Sequence, residues 1–469
     1  MVDAPFTAVA GVNLVVCLAL GWLTRSKAGV SPPQHFDAHL RHYLIAWTFC
    51  IAGEWFGGPG VYALYASYGF THGQTAQLYV LGFACSSVLG CFAGAWTDRF
   101  GRKRSALLYC MLGVLSCMLK HVPWFPALVV CRFADGAHAS LLYTSFESWL
   151  VSEHFTRHGF PPELLGHSFS LMFTISYLTA VLCGMATQVG VDHIPAQSLG
   201  ALKLGGWGFP FEASALFQLV GGVYIAQAWG ENYGNSPAAS ASDSPEKKGL
   251  LRALGSPRVL LCGALVSFFE SSMFIFVFSW TPALTPGSDH AKVPGGLVFA
   301  TYMMACMSGS SVYSLCCGRF HVTAIVGVIF AVAATAMAVP SIGGISEENK
   351  LRNFLAFVLF EFSVGGYFPA VATMKSELVE ETHRNTIYNV FRTPMNLIVV
   401  AVLLTGPPLL TTFRLLAAQL ALGALLLAIF NTLAPDSDEK ARPLLPSGSS
   451  THSQSGSGAN RGRVSSDGT

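Results

Sequence analysis

The decapeptide Gly94-Ala95-Trp96-Thr97-Asp98-Arg99-Phe100-Gly101-Arg102-Lys103 joins two long apolar stretches of the chain. It puts an acidic residue, a glycine and several bases into a connection of only a few residues. Gly101 permits the tight reversal of so short a loop, because glycine adopts backbone angles that other residues avoid. The decapeptide therefore predicts two antiparallel helices joined by a basic turn.

The composition around this turn is that of a membrane protein. Of 469 residues, 52% are hydrophobic and 11% are charged. Soluble proteins carry about 25% charged residues, because their surfaces must be solvated. A soluble enzyme is therefore excluded. The net charge of +2, without a basic stripe interleaved with aromatic residues, argues against nucleic-acid binding.

Motifs of catalysis or of a resident cofactor are missing from the sequence. Most of the twelve cysteines lie in apolar runs without CxxC pairs, so we interpret them as packing residues. There is no nucleophile elbow, phosphate loop or HExxH motif. We expect no enzyme activity, cofactor or metal, and an ion or substrate gradient as the energy source.

Thirteen stretches meet or approach the length of about 20 apolar residues that a transmembrane helix needs. The first lacks the basic start and the cleavage site of a signal peptide, which favours a retained helix. The other twelve form two groups of six on either side of a polar interval. The stretches are residues 5–23, then 43–70, 73–96, 105–119, 122–150, 164–191 and 205–229, then 259–284, 294–317, 322–340, 354–374, 386–410 and 415–433.

These stretches predict an all-α membrane protein with five segments. We expect an extra N-terminal transmembrane helix with a basic connector (1–42) and a six-helix bundle (43–229). A cytoplasmic linker (230–257), a second six-helix bundle (258–434) and a disordered cytoplasmic tail (435–469) follow.

The lysines and arginines predict the orientation. Connections on the side of the basic turn hold 17 of them, and connections on the opposite side hold 6. Since basic residues accumulate in cytoplasmic loops, the N-terminus should be outside and the C-terminus in the cytoplasm. That arrangement needs an odd number of spans, which thirteen satisfies.

The two bundles also repeat each other. The matches are Glu54 with Glu270, Gly101-Arg102 with Gly318-Arg319, and Phe146-Glu147 with Phe360-Glu361, at offsets of 216, 217 and 214 residues. The nearly constant offset indicates two six-helix units in the same orientation, as in one large class of transporters.

The opening decapeptide resembles motif A of the major facilitator superfamily. This resemblance implies a gating motif made of Gly94, Asp98, Arg99, Gly101, Arg102 and Lys103. In it, Asp98 would meet the positive N-terminal dipole of the eleventh core helix near Thr386. The resemblance also implies that core helices one, four, seven and ten line a central cavity. The second copy at residues 318–320 lacks the Asp, so no equivalent latch is expected there.

Seven ionisable residues lie within the membrane stretches, where each costs about 2.5 to 3.5 kcal/mol to insert. They are Glu54, Arg132, Asp135, Glu147, Glu270, Glu361 and Arg392. The five acids all fall on the four helices that the resemblance places around the cavity. We therefore interpret the seven residues as candidates for substrate binding and coupling.

Structural alternatives remain open for several of them. Arg132 and Asp135 are three residues apart on one helical face, so they suit a self-neutralising pair as well as coupling. Glu147 lies nearer the cytoplasmic end, where gating or a helix-end contact fits. Arg392 precedes Pro394, which opens the helix locally, and it either contacts an anion or pairs with a Glu.

A possible metal-binding face is formed by three histidines before the first core helix. His35, His39 and His42 are spaced four and three residues apart. Because they lie at the cytoplasmic entrance of that helix, we prefer surface solvation as their explanation, and we expect no metal.

Several stretches closely resemble the molybdate-anion transporter family, a branch of the same superfamily. They are residues 268–282, Phe146-Glu147-Ser148-Trp149, Trp229-Gly230-Glu231-Asn232-Tyr233, Gly366-Tyr367-Phe368-Pro369 and Phe391-Arg392-x-Pro394. The resemblance covers the membrane part but not the tail. It implies a secondary transporter that takes up molybdate across the plasma membrane.

Molybdate is a tetrahedral dianion, which ionised carboxylates in a low-dielectric cavity would repel. Burial favours the neutral acid, so protonated Glu54, Glu270 and Glu361 would donate hydrogen bonds to the oxyanion. We therefore hypothesise proton-coupled uptake by a monomer in the lipid bilayer, with Arg392 and Arg132 as charge partners. Two alternatives stay open: proton-coupled transport of an organic cation or drug-like solute, and a non-transporting receptor or scaffold.

Overall fold

The structure is a computed structural model that describes residues 3–23, 33, 35–58, 60–233, 255–286, 293–317, 319–378 and 384–433. Thirteen of the described helices have 19 residues or more, and one is short. They are α1 (Asp3–Leu23), α2 (Phe36–Gly57), the short α3 (Val61–Ser67), α4 (His72–Phe100), α5 (Arg102–Lys120), α6 (Phe125–Ser152), α7 (Pro162–His193), α8 (Phe209–Ala228), α9 (Pro257–Leu284), α10 (Gly295–Cys316), α11 (Val322–Gly343), α12 (Lys350–Leu378), α13 (Arg384–Thr405) and α14 (Leu409–Thr432).

Shorter elements occupy two connections, α6–α7 and α7–α8. A π-helical turn spans Glu153–Arg157 and a 3-10 turn spans Gly206–Gly208. Strands β1 (Gln197–Leu199) and β2 (Leu202–Leu204) form an antiparallel hairpin between α7 and α8. The predicted tail and most of the predicted linker lie outside the described residues.

The long helices overlap all thirteen predicted stretches, which confirms the all-helical membrane fold. By length and apolar composition, seven described helices qualify as spans, and α4 makes an eighth if its two parts, bent by 55°, count as one. Helices α2, α5, α6, α10 and α13 do not qualify; the first three each carry several ionisable residues, which lower their mean hydropathy.

One predicted stretch, residues 43–70, is two helices rather than one. Helix α2 ends at Gly57 and α3 begins at Val61. The intervening sequence Gly57-Gly58-Pro59-Gly60 combines glycines with a residue that has no backbone N–H, so it does not favour a continuous helix.

Helices α2 to α8 pack mainly on one another and form the first half of the protein. Helices α9 to α14 do the same and form the second half. The most extensive contacts between these halves are those of α4 with α13 and of α7 with α10. Small residues bring α7 and α10 close, because a Cβ on Gly296 would collide with the Gly184 carbonyl oxygen. The Gly296 N–H also donates to Gln188 Oε1 at 3.0 Å.

Helix α1 packs against the second half, although α2 begins the first. Its Asn13 Nδ2 donates to the Thr301 carbonyl oxygen in α10 at 2.8 Å. The rings of Phe6 and Phe354 lie 4.8 Å apart. Helix α1 is therefore joined to α10 and α12.

The turn between α4 and α5 defines one end of the bundle, which we call the Gly101 end. Gly101 has φ of 108°, a conformation that favours glycine, as the sequence predicts. The Glu231 carboxylate accepts the Lys103 and Arg104 N–H groups at 2.8 and 3.2 Å. The segment after α8 thus caps α5 at this turn.

The opposite end, which holds α3, the hairpin and Trp207, is called the Trp207 end. Aromatic contacts join the two halves there. The Phe278 ring of α9 lies 5.7 Å from Tyr62, 4.9 Å from His72 and 5.1 Å from Tyr79, centroid to centroid. These contacts form an aromatic seal between the halves.

Candidate functional site

A cavity of about 790 Å³ lies between the two halves. Helices α2, α4, α5 and α6, with Val61 of α3 and Ser214 of α8, line it on one side, and α9 and α13 on the other. Its charged lining residues are Glu54, Lys120, Arg132, Asp135, Glu270 and Arg392, with His138 beside them. Five of the seven predicted residues therefore come together at one cavity.

A cationic cluster, made of Lys120, Arg132 and Asp135, lies on the side of the cavity that the first half of the protein forms. Lys120 Nζ is 2.8 Å from Asp135 Oδ1 and 3.0 Å from Oδ2. Arg132 Nη1 is 2.7 Å from Oδ2. Both cations are largely withdrawn from solvent, and Arg132 also lies 5.5 Å above the Tyr79 ring. Two cations share one carboxylate, so the cluster carries a net charge of +1.

A hydrogen-bonded pair of Glu54 and His138 lines the same side. His138 Nε2 is 2.8 Å from Glu54 Oε2, and His138 Nδ1 is 2.9 Å from the Tyr109 carbonyl oxygen. Because a carbonyl only accepts, Nδ1 carries a hydrogen. The bond to Glu54 then needs one more proton, held by either the imidazole or the carboxyl. The hydrogen bond between His138 and Glu54 therefore requires that the pair holds this proton.

The second half contributes Glu270 and Arg392 to the cavity. Tyr367 donates a long hydrogen bond of 3.4 Å to Glu270 Oε1. Lys375 and Arg392 both lie within electrostatic range of Glu270, and Arg392 also lies within that range of Glu147. The cavity thus has a carboxyl and a guanidinium opposite the cationic cluster.

Two predicted residues lie away from the lining. Glu361 is buried, and Cys306 Sγ donates to its Oε2 at 3.1 Å between α10 and α12. Glu147 is half-buried towards the Gly101 end of α6. Neither is among the described residues that line the cavity.

In the predicted gating motif, Asp98 accepts hydrogen bonds from its own turn. Arg102 Nε and Nη2 donate to Asp98 Oδ1 at 3.1 and 2.7 Å. The Thr386 side chain lies outside the described residues. Contact of Asp98 with the start of α13 stays a prediction.

Sequence reasoning missed Lys120 and His138. Lys120 ends α5, so its position suggested a solvated connection, but its side chain points back into the bundle and is only 5% exposed. His138 follows Arg132 and Asp135 at three-residue intervals along α6, and that spacing was the signal that could have found it.

Comparisons with known proteins agree with this architecture. The profile of a family described as sugar transporters, 12 TM, matches residues 6–359. The molybdate-anion transporter of Xenopus tropicalis is 32% identical over 356 residues, covering 74% of each chain. That of Danio rerio is 29% identical over 427 residues, 84% of this chain and 85% of its own.

Solved structures share the fold at low identity. A D-xylose-proton symporter aligns with a TM-score of 0.62 and 13% identity, over 88% of this chain and all of its own. The inward open xylose transporter XylE from E. coli aligns with a TM-score of 0.63 and 13% identity, over 84% of this chain and 96% of its own.

Proposed function

We propose a substrate and a mechanism for this chain, which belongs to the molybdate-anion transporter family of the major facilitator superfamily. The substrate is molybdate, and the protein takes it up by alternating access of the central cavity. The observation that carries this proposal is the pair of buried cations around Asp135, which places a cluster of net charge +1 beside open volume.

The charge of the lining supports coupling to protons. Lys120, Arg132 and Arg392 balance Glu54, Asp135 and Glu270 when every carboxylate is ionised and His138 is neutral. One proton on the Glu54–His138 pair and one on Glu270 give the lining a charge of +2. Because opposite charges attract strongly in a low-dielectric site, this state suits a dianion best. Proton entry and molybdate binding therefore favour each other.

The finer topology is part of the same proposal. The chain crosses the plasma membrane thirteen times as a monomer, with α1 added to bundles at 43–229 and 258–434 and the C-terminus in the cytoplasm. The Gly101 end, with its Arg and Lys residues, faces the cytoplasm. This topology places the Trp207 end outside, and since the aromatic seal joins the halves there, we expect the cavity to open inwards.

Molybdate flux into proteoliposomes tests the substrate. An inward proton gradient should accelerate uptake, and tungstate should compete with it. If an organic cation competes and tungstate does not, the protein carries another solute. The absence of any flux would favour a receptor or scaffold.

Two substitutions test the site. Arg392→Ala should lower uptake about 10- to 100-fold, the loss expected for a hydrogen bond to a charged group. Glu270→Gln should remove most of the acceleration by a proton gradient, because the amide cannot take up the second proton. Glu348→Gln, an exposed change outside the cavity, is the matched control. If both cavity variants transport at the wild-type rate, this site assignment is wrong.

A further inference from the structure

A second cluster of chemically active side chains lies at the Gly101 end, outside the central cavity. His39, Glu153 and His158 each offer one ligand atom, and these three atoms lie within 4.8 Å of one another. Glu153 is buried, His39 is half-buried and His158 is exposed. The proposed transport mechanism uses none of the three.

The π-helical turn after α6 creates this arrangement. The His158 N–H donates to the Glu153 carbonyl oxygen, five residues earlier, at 3.0 Å. In an α-helix, residues five apart point about 140° away from each other. The wider turn instead brings both side chains towards His39. Such turns are rare in proteins, and those that occur often lie at functional sites.

Neighbouring groups hold these side chains in place. Asn232 Nδ2 donates to Glu153 Oε1 at 3.0 Å and Arg157 Nη1 donates to Oε2 at 3.1 Å, which leaves each oxygen a lone pair. The His39 ring stacks at 5.9 Å on Trp149. Its buried Nε2 has no hydrogen-bond partner among the described residues. That nitrogen is free to bind a metal.

We propose that His39, Glu153 and His158 bind a divalent transition metal, for which Zn²⁺ is the reference ion. Two imidazoles and one carboxylate form a three-ligand set that Zn²⁺ accepts, with water at the fourth position. A tetrahedral ion with bonds of about 2.0 Å holds its ligand atoms about 3.3 Å apart. Because the three ligand atoms already lie within 4.8 Å of one another, small side-chain rotations complete the site. The ion joins the start of α2 to the turn after α6.

Outer groups are compatible with this ion. Asn232 and Arg157 orient the carboxylate, a role that commonly supports metal ligands. The Arg157 guanidinium adds a positive charge, but its side chain is 59% exposed, so water and salt screen it.

Metal binding is measured on the full chain, purified in detergent with any affinity tag removed. Co²⁺ is titrated first, because its visible absorption reports tetrahedral coordination, and Zn²⁺ is then added. We expect one Co²⁺ per chain, its displacement by one Zn²⁺, and a rise in Tm with Zn²⁺, because the ion binds the folded state.

Substitutions locate the ion. His158→Ala and Glu153→Gln should abolish the tetrahedral spectrum, and Asn232→Ala should weaken binding about 10- to 100-fold, as for other outer partners. His35→Ala removes an exposed imidazole four residues before His39 and should change nothing. Size-exclusion chromatography identifies any variant that fails to fold, and His158→Asn then replaces it.

The proposal is overturned if the wild-type chain binds no stoichiometric metal. It is also overturned if a folded His158 variant binds at wild-type strength. Because the assay contains no molybdate, its result is independent of the proposed transport function.

Discussion

Lys120 ends α5 with its ammonium group directed into the protein rather than into the water beyond the helix. There it shares Asp135 with Arg132. A lone Arg132–Asp135 pair, which the sequence allowed, would be neutral. The third residue turns that pair into a cation, and this is the feature of the cavity that best suits an oxyanion.

Lys120→Met should therefore destabilise the chain by about 3 kcal/mol, at the low end for breaking a buried ion pair, because Arg132 still neutralises Asp135. The measurement is thermal unfolding in detergent. Lys203→Met removes an exposed lysine above the Tyr68 ring and is the control, with little change expected. Equal Tm values for both variants would show that the Lys120 contact adds nothing.

The sequence shows how far along a membrane helix a residue lies, but it shows less well which neighbours the side chain faces. Glu54 and Glu361 both stand out as acids in apolar stretches, yet one lines the cavity and the other is buried against Cys306. The difference lies in the position and rotation of each helix, since no described residue of α12 lines the cavity, although the resemblance implied that this helix would. Hydropathy constrains that rotation weakly, because lipid-facing and buried faces are both apolar.

At the scale of elements, small residues decide how closely helices pack. Helices α10 and α12 approach each other at Gly309 and Gly365. A Cβ added at these positions would collide with the carbonyl oxygens of Phe362 and Cys306, respectively. The sequence predicts both helices from their apolar length. It does not predict this contact, because Gly309 and Gly365 look no different from the many other glycines of the chain.

Gly365→Ala should cost about 3 kcal/mol, the upper end for overpacking, because the colliding atom belongs to a helix backbone and cannot rotate away. Gly366→Ala is the matched control, since the nearest atom to its Cβ would be Ile329 Cδ1 at 3.4 Å. Thermal unfolding compares the two. A smaller loss for Gly365→Ala than for Gly366→Ala would contradict the packing described.

For the whole molecule, the contacts between the halves decide which end of the cavity is closed. Phe278 meets three aromatic rings of the first half at the Trp207 end. An opening at that end must break these contacts. The sequence predicts two repeated halves, but it carries no record of which conformation the contacts favour.

Phe278→Ala should open the Trp207 end more often. Losing about 1 kcal/mol of aromatic contact raises the open population roughly fivefold. Ser87 lines the cavity, so a Ser87→Cys substitution places a thiol there. A membrane-impermeant maleimide added at the Trp207 end should label this thiol faster when that end opens more often. The same chain without Ser87→Cys gives the background from native cysteines.

Phe92→Ala deletes a ring of equal size from a 65% exposed position on α4 and is the control. Unchanged labelling in Phe278→Ala would mean that the aromatic seal does not hold the halves together.

The position of α1 also bears on how the chain is made. Asn13 and its acceptor in Thr301 are 288 residues apart. At about 5 to 20 residues per second, a ribosome needs about 15 to 60 s to cover that distance. During synthesis, α1 therefore leaves the ribosome before its acceptor in α10 has been made. Insertion of α10 then supplies the carbonyl oxygen that accepts the Asn13 amide.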